Sequence, residues 1–199
     1  MLKLRKIAIT GSLATGKSTV SKYFQRLGAY IVNVDNVTHA LLRKNDCISK
    51  KILSLFGNKV LTRGKISRKK LASIVFEDRN KLLQLEKIIH PKVIEAIEKE
   101  YEKVDREKSY KLFIVEMPLL YEIGLEDKFD KIILIKSTKE NCLKRTEKRD
   151  IDKDQYNKRM QRLIPASKKV KKADFVIEND ASLKELKQKI KDIYDVLTK

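Results

Sequence analysis

The chain has 199 residues, a formal net charge of +19 and 42% hydrophobic residues, enough to bury a full core. No stretch is long and apolar enough to cross a bilayer, and no signal peptide fits ahead of the first strand, so we expect a cytoplasmic protein. Most of the 46 basic residues are lysines spread along every segment, which is typical of a solvated surface and not of a nucleic-acid interface. Cys47 and Cys142 belong to no C-x-x-C pair, so we expect reduced thiols without a disulfide or metal role.

The first predicted strand leads into a glycine-bounded loop and then a helix. The loop matches G-x-x-x-x-G-K-[ST], with the sequence Gly11-Ser12-Leu13-Ala14-Thr15-Gly16-Lys17-Ser18. An apolar strand over 6–10 precedes it and a predicted helix over 19–27 follows, which is the context of a P-loop. Glycines let backbone N–H groups point inward around a phosphate, and the helix N-terminus adds partial positive charge. The pattern predicts a nucleoside triphosphate site, with Lys17 on the β- and γ-phosphates and Ser18 on Mg²⁺.

The second predicted strand covers 29–34, and Asp35 stands directly at its carboxyl end. Ligands gather at the carboxyl ends of strands in open α/β sheets. A carboxylate at this position can accept a proton from an attacking hydroxyl or orient that hydroxyl. Aspartate is also a good N-cap for the following helix, and the two roles are compatible.

Residues 36–105 carry helical patterns and no predicted strand. We expect helices over 37–44, 49–56, 67–76 and 80–104, with Pro91 at a helix start. Such an all-helical block after the second strand suits the binding of a second substrate. His90 precedes the proline and has no ligand spacing to His39, so the pattern alone favours capping or packing for it.

The third predicted strand covers 110–116 and ends in a carboxylate. Glu116 stands where P-loop proteins often place an acidic residue near Mg²⁺, and an ordinary strand-end carboxylate is the equal alternative. The turn that follows, Pro118-Leu119-Leu120-Tyr121-Glu122, has apolar side chains suited to the wall of a substrate pocket.

A fourth predicted strand, over 131–135, precedes a very basic helical stretch over 139–162. Arg145 and Arg149 are four residues apart and therefore share one face of the helix. Two guanidinium groups on one face can contact transferring phosphates. A solvated basic face with i,i+4 ion pairs is the alternative, and the upstream P-loop favours the phosphate role for Arg145.

A fifth strand over 175–177 and an amphipathic helix over 183–197 complete the pattern. Strands that alternate with helices predict an α/β fold with a parallel sheet covered on both faces. We therefore predict a P-loop NTPase fold with a five-stranded parallel sheet, a helical acceptor-binding insertion and a helical lid. The expected parts are a core of 1–35, 106–138 and 169–199, an insertion of 36–105 and a lid of 139–168.

These motifs together resemble the dephospho-coenzyme A kinase family over nearly the whole chain. The matching segments are Gly11 to Thr19, Val34-Asp35, Ile66-x-Arg68-x-x-Leu71, Val75-Phe76, Leu85-Glu86-x-x-x-His90-Pro91, Glu116 to Glu122, Arg145-Thr146-x-x-Arg149-Asp150 and Ala173 to Asn179. The P-loop alone is generic, whereas its combination with the His-Pro and Pro-Leu-Leu elements is specific. The chain departs from the family pattern at four positions: Asn33 for aspartate, His39 for arginine, Glu116 for aspartate and Leu163 for glutamine.

The resemblance implies transfer of the γ-phosphoryl group of ATP to the ribose 3′-hydroxyl of dephospho-coenzyme A, giving coenzyme A and ADP, with Mg²⁺ bound. It implies catalytic roles for Asp35, Lys17 and Arg145. The nucleotide contacts that it implies are the loop residues and their neighbours, namely Gly11, Ser12, Leu13, Ala14, Thr15, Gly16, Lys17, Ser18, Thr19, Arg149 and Asn179. The acceptor contacts that it implies are Asp35, His90, Pro118 and Leu119.

Two alternatives stay open at this stage. The nearer one is a P-loop kinase that acts on a nucleoside or nucleoside monophosphate, because acceptor choice lies in the helical block. The other is a nucleic-acid-binding or switch-type P-loop protein. The chain has neither an N-K-x-D element nor an RNA-binding aromatic motif, which argues against this alternative. We expect small-molecule substrates only, no nucleic-acid or membrane partner, and a monomer, with an oligomer left open.

Overall fold

The computed structural model describes residues 3–44, 46–148, 152–161 and 163–199, in two compact units. Met1–Asn33 and Lys103–Lys199 form the first unit, and Val34–Glu102 form the second. The strands are β1 (Arg5–Gly11), β2 (Tyr30–Asn33), β3 (Leu61–Thr62), β4 (Lys65–Ile66), β5 (Leu112–Glu116), β6 (Lys131–Lys136) and β7 (Phe175–Glu178). The helices are α1 (Lys17–Arg26), α2 (Val34–Lys44), α3 (Asp46–Phe56), α4 (Arg68–Glu77), α5 (Arg79–Glu107), α6 (Lys139–Glu147), α7 (Lys153–Met160), α8 (Ala166–Val170) and α9 (Leu183–Thr198). Among these described helices, none has the length and apolar character needed to cross a membrane.

A parallel sheet forms the centre of the first unit. Its five strands run in the order β2-β5-β1-β6-β7, and each neighbouring pair is parallel. The three middle strands are near-continuous apolar runs and are almost wholly buried, as expected for strands covered on both faces. The predicted α/β class with a five-stranded parallel sheet is confirmed.

Helices α1 and α9 pack against this sheet in one apolar core. Val20 and Phe24 of α1 and Ile190 of α9 are fully buried there, together with Ile7 and Ile9 of β1. Each such side chain contributes about 1.5–3 kcal/mol to folding. This packing holds the N-terminus of α1 at the carboxyl end of the central strand, which positions the loop between them.

The second unit contains a small hairpin, so the prediction of no strand in this block is wrong. β3 and β4 are antiparallel, and Leu61 pairs with Ile66. The two residues between the strands, Arg63 and Gly64, both have positive φ, at 50° and 72°. This is the backbone of a tight hairpin turn, which two-residue strands do not reveal by periodicity.

Pro91 lies inside the continuous helix α5, and its predicted position at a helix start is therefore wrong. An interior proline costs about 3 kcal/mol because it removes one backbone hydrogen bond. Buried apolar residues recur every four positions on both sides of it, at Leu85, Ile89, Val93 and Ile97. Packing of this continuous apolar face outweighs the local cost, since each buried side chain contributes about 1.5–3 kcal/mol.

The basic stretch after β6 is divided between two helices. The single helical segment predicted over 139–162 is instead α6 and α7, which end and begin at Glu147 and Lys153. Thr138 caps α6, where its hydroxyl accepts a hydrogen bond from the Asn141 N–H. Residues 149–151, which include Arg149, lie outside the described residues.

Candidate active site

The loop between β1 and α1 is tightly packed and depends on its two glycines. Gly11 and Gly16 have positive φ, at 149° and 98°. A Cβ on Gly11 would collide with the carbonyl oxygen of Ile135, and a Cβ on Gly16 would collide with the Asn179 amide nitrogen. Helix α1 begins directly after this loop, so its unpaired N–H groups face the same space. The segment Gly11 to Thr19 thus has the backbone of a phosphate-binding loop.

Lys17, the first residue of α1, folds back over the loop. Its side chain is buried, and Nζ donates hydrogen bonds to the carbonyl oxygens of Gly11, at 2.9 Å, and Ser12, at 2.7 Å. Such bonds fix the ammonium beside the loop. The arrangement holds a positive charge where a triphosphate would lie.

Ser18 and Glu116 bring two oxygen ligands together. Ser18 Oγ donates a hydrogen bond of 2.7 Å to Glu116 Oε1, and Glu116 is buried at the carboxyl end of β5. The pairing of Ile9 with Glu116 in neighbouring parallel strands places this carboxylate at the edge where the loop begins. Mg²⁺ in phosphate-binding sites typically takes one or two protein oxygens and completes its shell with phosphate and water. The pair Ser18 and Glu116 fits that requirement.

Arg145 of α6 contacts the loop from the other side. Its NH1 donates to the carbonyl oxygens of Ala14, at 3.2 Å, and Thr15, at 3.3 Å, and to Ser137 Oγ, at 3.1 Å. Its NH2 donates to the Asn179 carbonyl at 2.8 Å, and the Asn179 amide donates to the Thr15 carbonyl at 2.8 Å. The structure thus brings Arg145 and Asn179 together at the loop backbone.

A cavity of about 260 Å³ lies beside the loop. Its lining includes Ser12 and Thr15 of the loop, and Cys142 and Tyr156 of the two helices after β6. Burial raises the pKa of the Cys142 thiol, which therefore stays protonated near neutral pH. Both Cys142 and Cys47 are free cysteines.

The turn after β5 lies next to this site. Pro118 and Leu119 are half-buried there, and Thr10 Oγ1 donates a hydrogen bond of 3.2 Å to the Pro118 carbonyl. Glu122 ends the turn, and its Oε1 accepts from the Ile164 N–H at 2.9 Å. The turn is thereby attached to both the central strand and the chain that follows α7.

The remaining predicted residues belong to the second unit. β2 ends at Asn33 and α2 begins at Val34, so Asp35 lies in the first turn of α2. Its predicted position directly after the strand is therefore wrong. A carboxylate in a first turn is stabilised by the helix dipole. His90 is half-buried in α5, and burial lowers its pKa against the opposing effect of Glu86.

Residues that the sequence pattern did not single out also serve this site. Ser137 follows β6 and bonds to Arg145, and Asp180 follows Asn179 and bonds to Ser137. A Ser-Thr pair before a basic helix predicts an N-cap, whereas a bond between residues 43 positions apart has no local signal. The fold and this site define a protein of the P-loop kinase class.

The dephospho-CoA kinase family model matches residues 5–185, so the chain belongs to the dephospho-CoA kinase family. A dephospho-CoA kinase of Aquifex aeolicus is 38% identical over 198 residues, which cover 98% of this chain and 99% of that protein. The solved dephospho-CoA kinase from Campylobacter jejuni superimposes with a TM-score of 0.72 at 32% identity, covering 97% of this chain and 96% of that one. A crystal structure from Thermus thermophilus gives a TM-score of 0.84 at 29% identity and covers 99% of this chain and 100% of that one.

Family membership confirms the resemblance and the predicted activity. The relatives that match over the whole chain are dephospho-CoA kinases, so the activity is phosphorylation of dephospho-CoA, the last step of coenzyme A biosynthesis. This fits the chain better than phosphorylation of a nucleoside or nucleotide. ATP is accordingly the second substrate.

Proposed function

We propose that this chain transfers the γ-phosphoryl group of ATP to the ribose 3′-hydroxyl of dephospho-CoA, with Lys17, Asp35 and Arg145 as the residues that carry the reaction. The observation on which the proposal rests is the P-loop with Lys17 held above it by two carbonyl oxygens. A direct in-line transfer needs mainly positioning and charge neutralisation, and the loop supplies both.

The nucleotide side of the reaction belongs to the loop. Backbone N–H groups of Gly11 to Thr19 hold the phosphates, and Lys17 exchanges its carbonyl partners for β- and γ-phosphate oxygens. Arg145 adds positive charge beside the loop as charge moves onto the leaving ADP. Arg149 and Asn179 complete the nucleotide contacts in this proposal.

Ser18 and Glu116 would hold Mg²⁺. When bound, the ion neutralises charge on the β- and γ-phosphate oxygens. The hydrogen bond between the two side chains supports this role, since it places a hydroxyl and a carboxylate oxygen within 2.7 Å of each other. Glu116 stands where the family has aspartate, and its longer side chain still reaches Ser18.

The acceptor side belongs to the residues that match the acceptor-binding pattern of the family. The 3′-hydroxyl oxygen forms a bond to the γ-phosphorus, its proton passes to the Asp35 carboxylate, and ADP leaves. His90, Pro118 and Leu119 contact the acceptor. The support is the match of these residues to the family pattern and the position of Asp35 two residues after β2.

The parts of the chain divide this work. Residues 1–35, 106–138 and 169–199 form the nucleotide-binding core, 36–105 bind the acceptor, and 139–168 form the lid. Exclusion of water by the lid prevents hydrolysis of ATP in place of transfer. We expect the protein to act as a monomer in the cytoplasm on two small-molecule substrates.

The test is release of ADP from Mg-ATP by the purified protein with different acceptors. Dephospho-CoA is compared with a panel of nucleosides and nucleoside monophosphates. We expect turnover with dephospho-CoA only. Turnover with a nucleoside or nucleotide, and none with dephospho-CoA, would show that the acceptor is a different molecule. The absence of turnover with any acceptor would refute the proposal.

A further inference from the structure

Asp180 collects hydrogen bonds from the start of α6. Its Oδ1 accepts from the Ser137 hydroxyl at 2.6 Å, from the Asn141 amide at 2.8 Å and from the Thr138 N–H at 2.9 Å. Burial raises the pKa of Asp180, but these hydrogen bonds outweigh that effect and lower the pKa to about 2. The carboxylate is therefore charged at any pH near neutrality, and it fixes the segment between β6 and α6.

Ser137 joins this carboxylate to the phosphate-binding loop. Its hydroxyl donates to Asp180 and its oxygen accepts from Arg145 NH1 at 3.1 Å. Arg145 in turn donates to the carbonyl oxygens of Ala14 and Thr15. A continuous chain of hydrogen bonds thus runs from an exposed aspartate to the backbone of the P-loop.

A second connection runs parallel to the first. The residue before Asp180 is Asn179, whose carbonyl accepts from Arg145 NH2 at 2.8 Å and whose amide donates to the Thr15 carbonyl at 2.8 Å. The Asn179 N–H also donates to the Lys136 carbonyl at 2.8 Å. Arg145 is therefore held on the loop by groups from both chain segments that end at this edge of the sheet.

We propose that Asp180 is a positioning residue for ATP binding, which acts through Ser137 and Arg145 to hold the Ala14 and Thr15 carbonyls. When these carbonyls are held, the N–H groups of the same loop point toward the phosphates before the nucleotide arrives. Arg145 then contributes to nucleotide affinity through the loop. The proposal rests on the proposed function in taking this loop as the ATP site.

The test is the affinity for ATP and for ADP, measured by calorimetry without acceptor, in Asp180→Ala. Loss of hydrogen bonds to a charged group predicts about tenfold weaker binding of both nucleotides. The turnover number at saturating substrates should fall less than in Arg145→Ala, because the guanidinium of Arg145 is still present in Asp180→Ala.

Asp174→Ala is the matched control. Asp174 is likewise exposed and stands at the opposite end of β7, where it accepts from the Ile132 N–H at 2.9 Å and from Lys131 Nζ at 2.7 Å. We expect a comparable loss of thermal stability in the two variants and unchanged nucleotide affinity in the control. Ser137→Ala, which breaks the same connection in its middle, should weaken binding as Asp180→Ala does, even if the latter folds poorly.

The double variant Asp180→Ala/Arg145→Ala gives a further check. If both residues act in one chain of bonds, their combined effect on affinity is smaller than the sum of the single effects. Unchanged ATP and ADP affinity in Asp180→Ala and Ser137→Ala would overturn the proposal, as would equal losses in Asp174→Ala. Wild-type protein that fails to bind ATP would refute the ATP site itself, an outcome that the wild-type titration identifies separately.

Discussion

Ser18 Oγ and Glu116 Oε1 are joined by a hydrogen bond of 2.7 Å, which links the first turn of α1 to the end of β5. The relationship depends on the parallel pairing of β1 with β5, since that register brings the carboxylate to the loop. It connects the nucleotide-binding loop to a buried carboxylate.

The first prediction concerns this pair and Mg²⁺. Glu116→Gln removes the charge that a divalent ion requires, and we expect the Mg²⁺ concentration for half-maximal rate to rise about 10- to 100-fold. Glu116→Asp keeps the charge and serves as the control, with a smaller shift. The measurement is rate against free Mg²⁺ at fixed ATP. An unchanged Mg²⁺ requirement in Glu116→Gln would remove Glu116 from the metal site.

The second prediction concerns Asp35. Asp35→Asn removes the proposed proton acceptor while keeping the size of the side chain, so kcat should fall about 10²- to 10⁴-fold. ATP affinity should change little, because the loop is intact. Turnover and an ATP titration of the same preparation provide the measurement. Turnover close to that of the wild type would exclude Asp35 as the acceptor-side carboxylate.

The third prediction concerns the pH dependence of stability through His90. Burial lowers the pKa of this imidazole below its usual 6.5, so the unfolded chain binds the proton more tightly than the folded one. The contribution to stability is present in full above about pH 6.5 and is lost as the pH falls below it toward the folded-state pKa. His90→Gln should therefore lose less thermal stability than the wild type between pH 7.5 and pH 5.5. An equal loss of melting temperature between pH 7.5 and pH 5.5 in the variant and the wild type would contradict this prediction.

The fourth prediction concerns the buried ion pair of Lys169 and Glu122. Lys169 Nζ lies 2.7 Å from Glu122 Oε1, and the contact is an ion pair without hydrogen-bond alignment. Lys169→Met leaves the carboxylate buried without its cation, which should lower the free energy of unfolding by about 3–5 kcal/mol.

Urea denaturation provides the measurement for this pair. The double variant Lys169→Met/Glu122→Gln removes both charges and should recover part of the stability. The Ile164 N–H would still find an acceptor in the glutamine amide. A double variant less stable than Lys169→Met would show that the charge on Glu122 has another partner.

The predictable parts of this protein are those with a local pattern. The P-loop has its own signature, and β1, β5 and β6 are apolar runs that read directly as buried strands. The hairpin of β3 and β4 is not predictable in this way, because two-residue strands have no period. The position of Pro91 inside a helix is not predictable either, because the preference of proline for helix starts is a local rule, whereas the apolar face of α5 extends over many turns.

The site follows the same division. Lys17 and Ser18 belong to the loop signature, and their bonds to the loop and to Glu116 agree with it. Charge and spacing indicate Arg145, but its contacts with the Ala14 and Thr15 carbonyls depend on the tertiary fold. Asp180 had no signal, because its partners lie about 40 residues earlier in the chain and meet it only when β7 pairs with β6.

The most direct test of the account is identification of the product formed from dephospho-CoA and Mg-ATP by the wild-type protein. Mass spectrometry and ³¹P NMR together establish whether one phosphoryl group has been added and to which hydroxyl. We predict coenzyme A, with the new phosphate on the ribose 3′-hydroxyl, and one ADP for each product molecule. A phosphate on any other atom, or ADP formed with inorganic phosphate and no phosphorylated acceptor, would contradict the account.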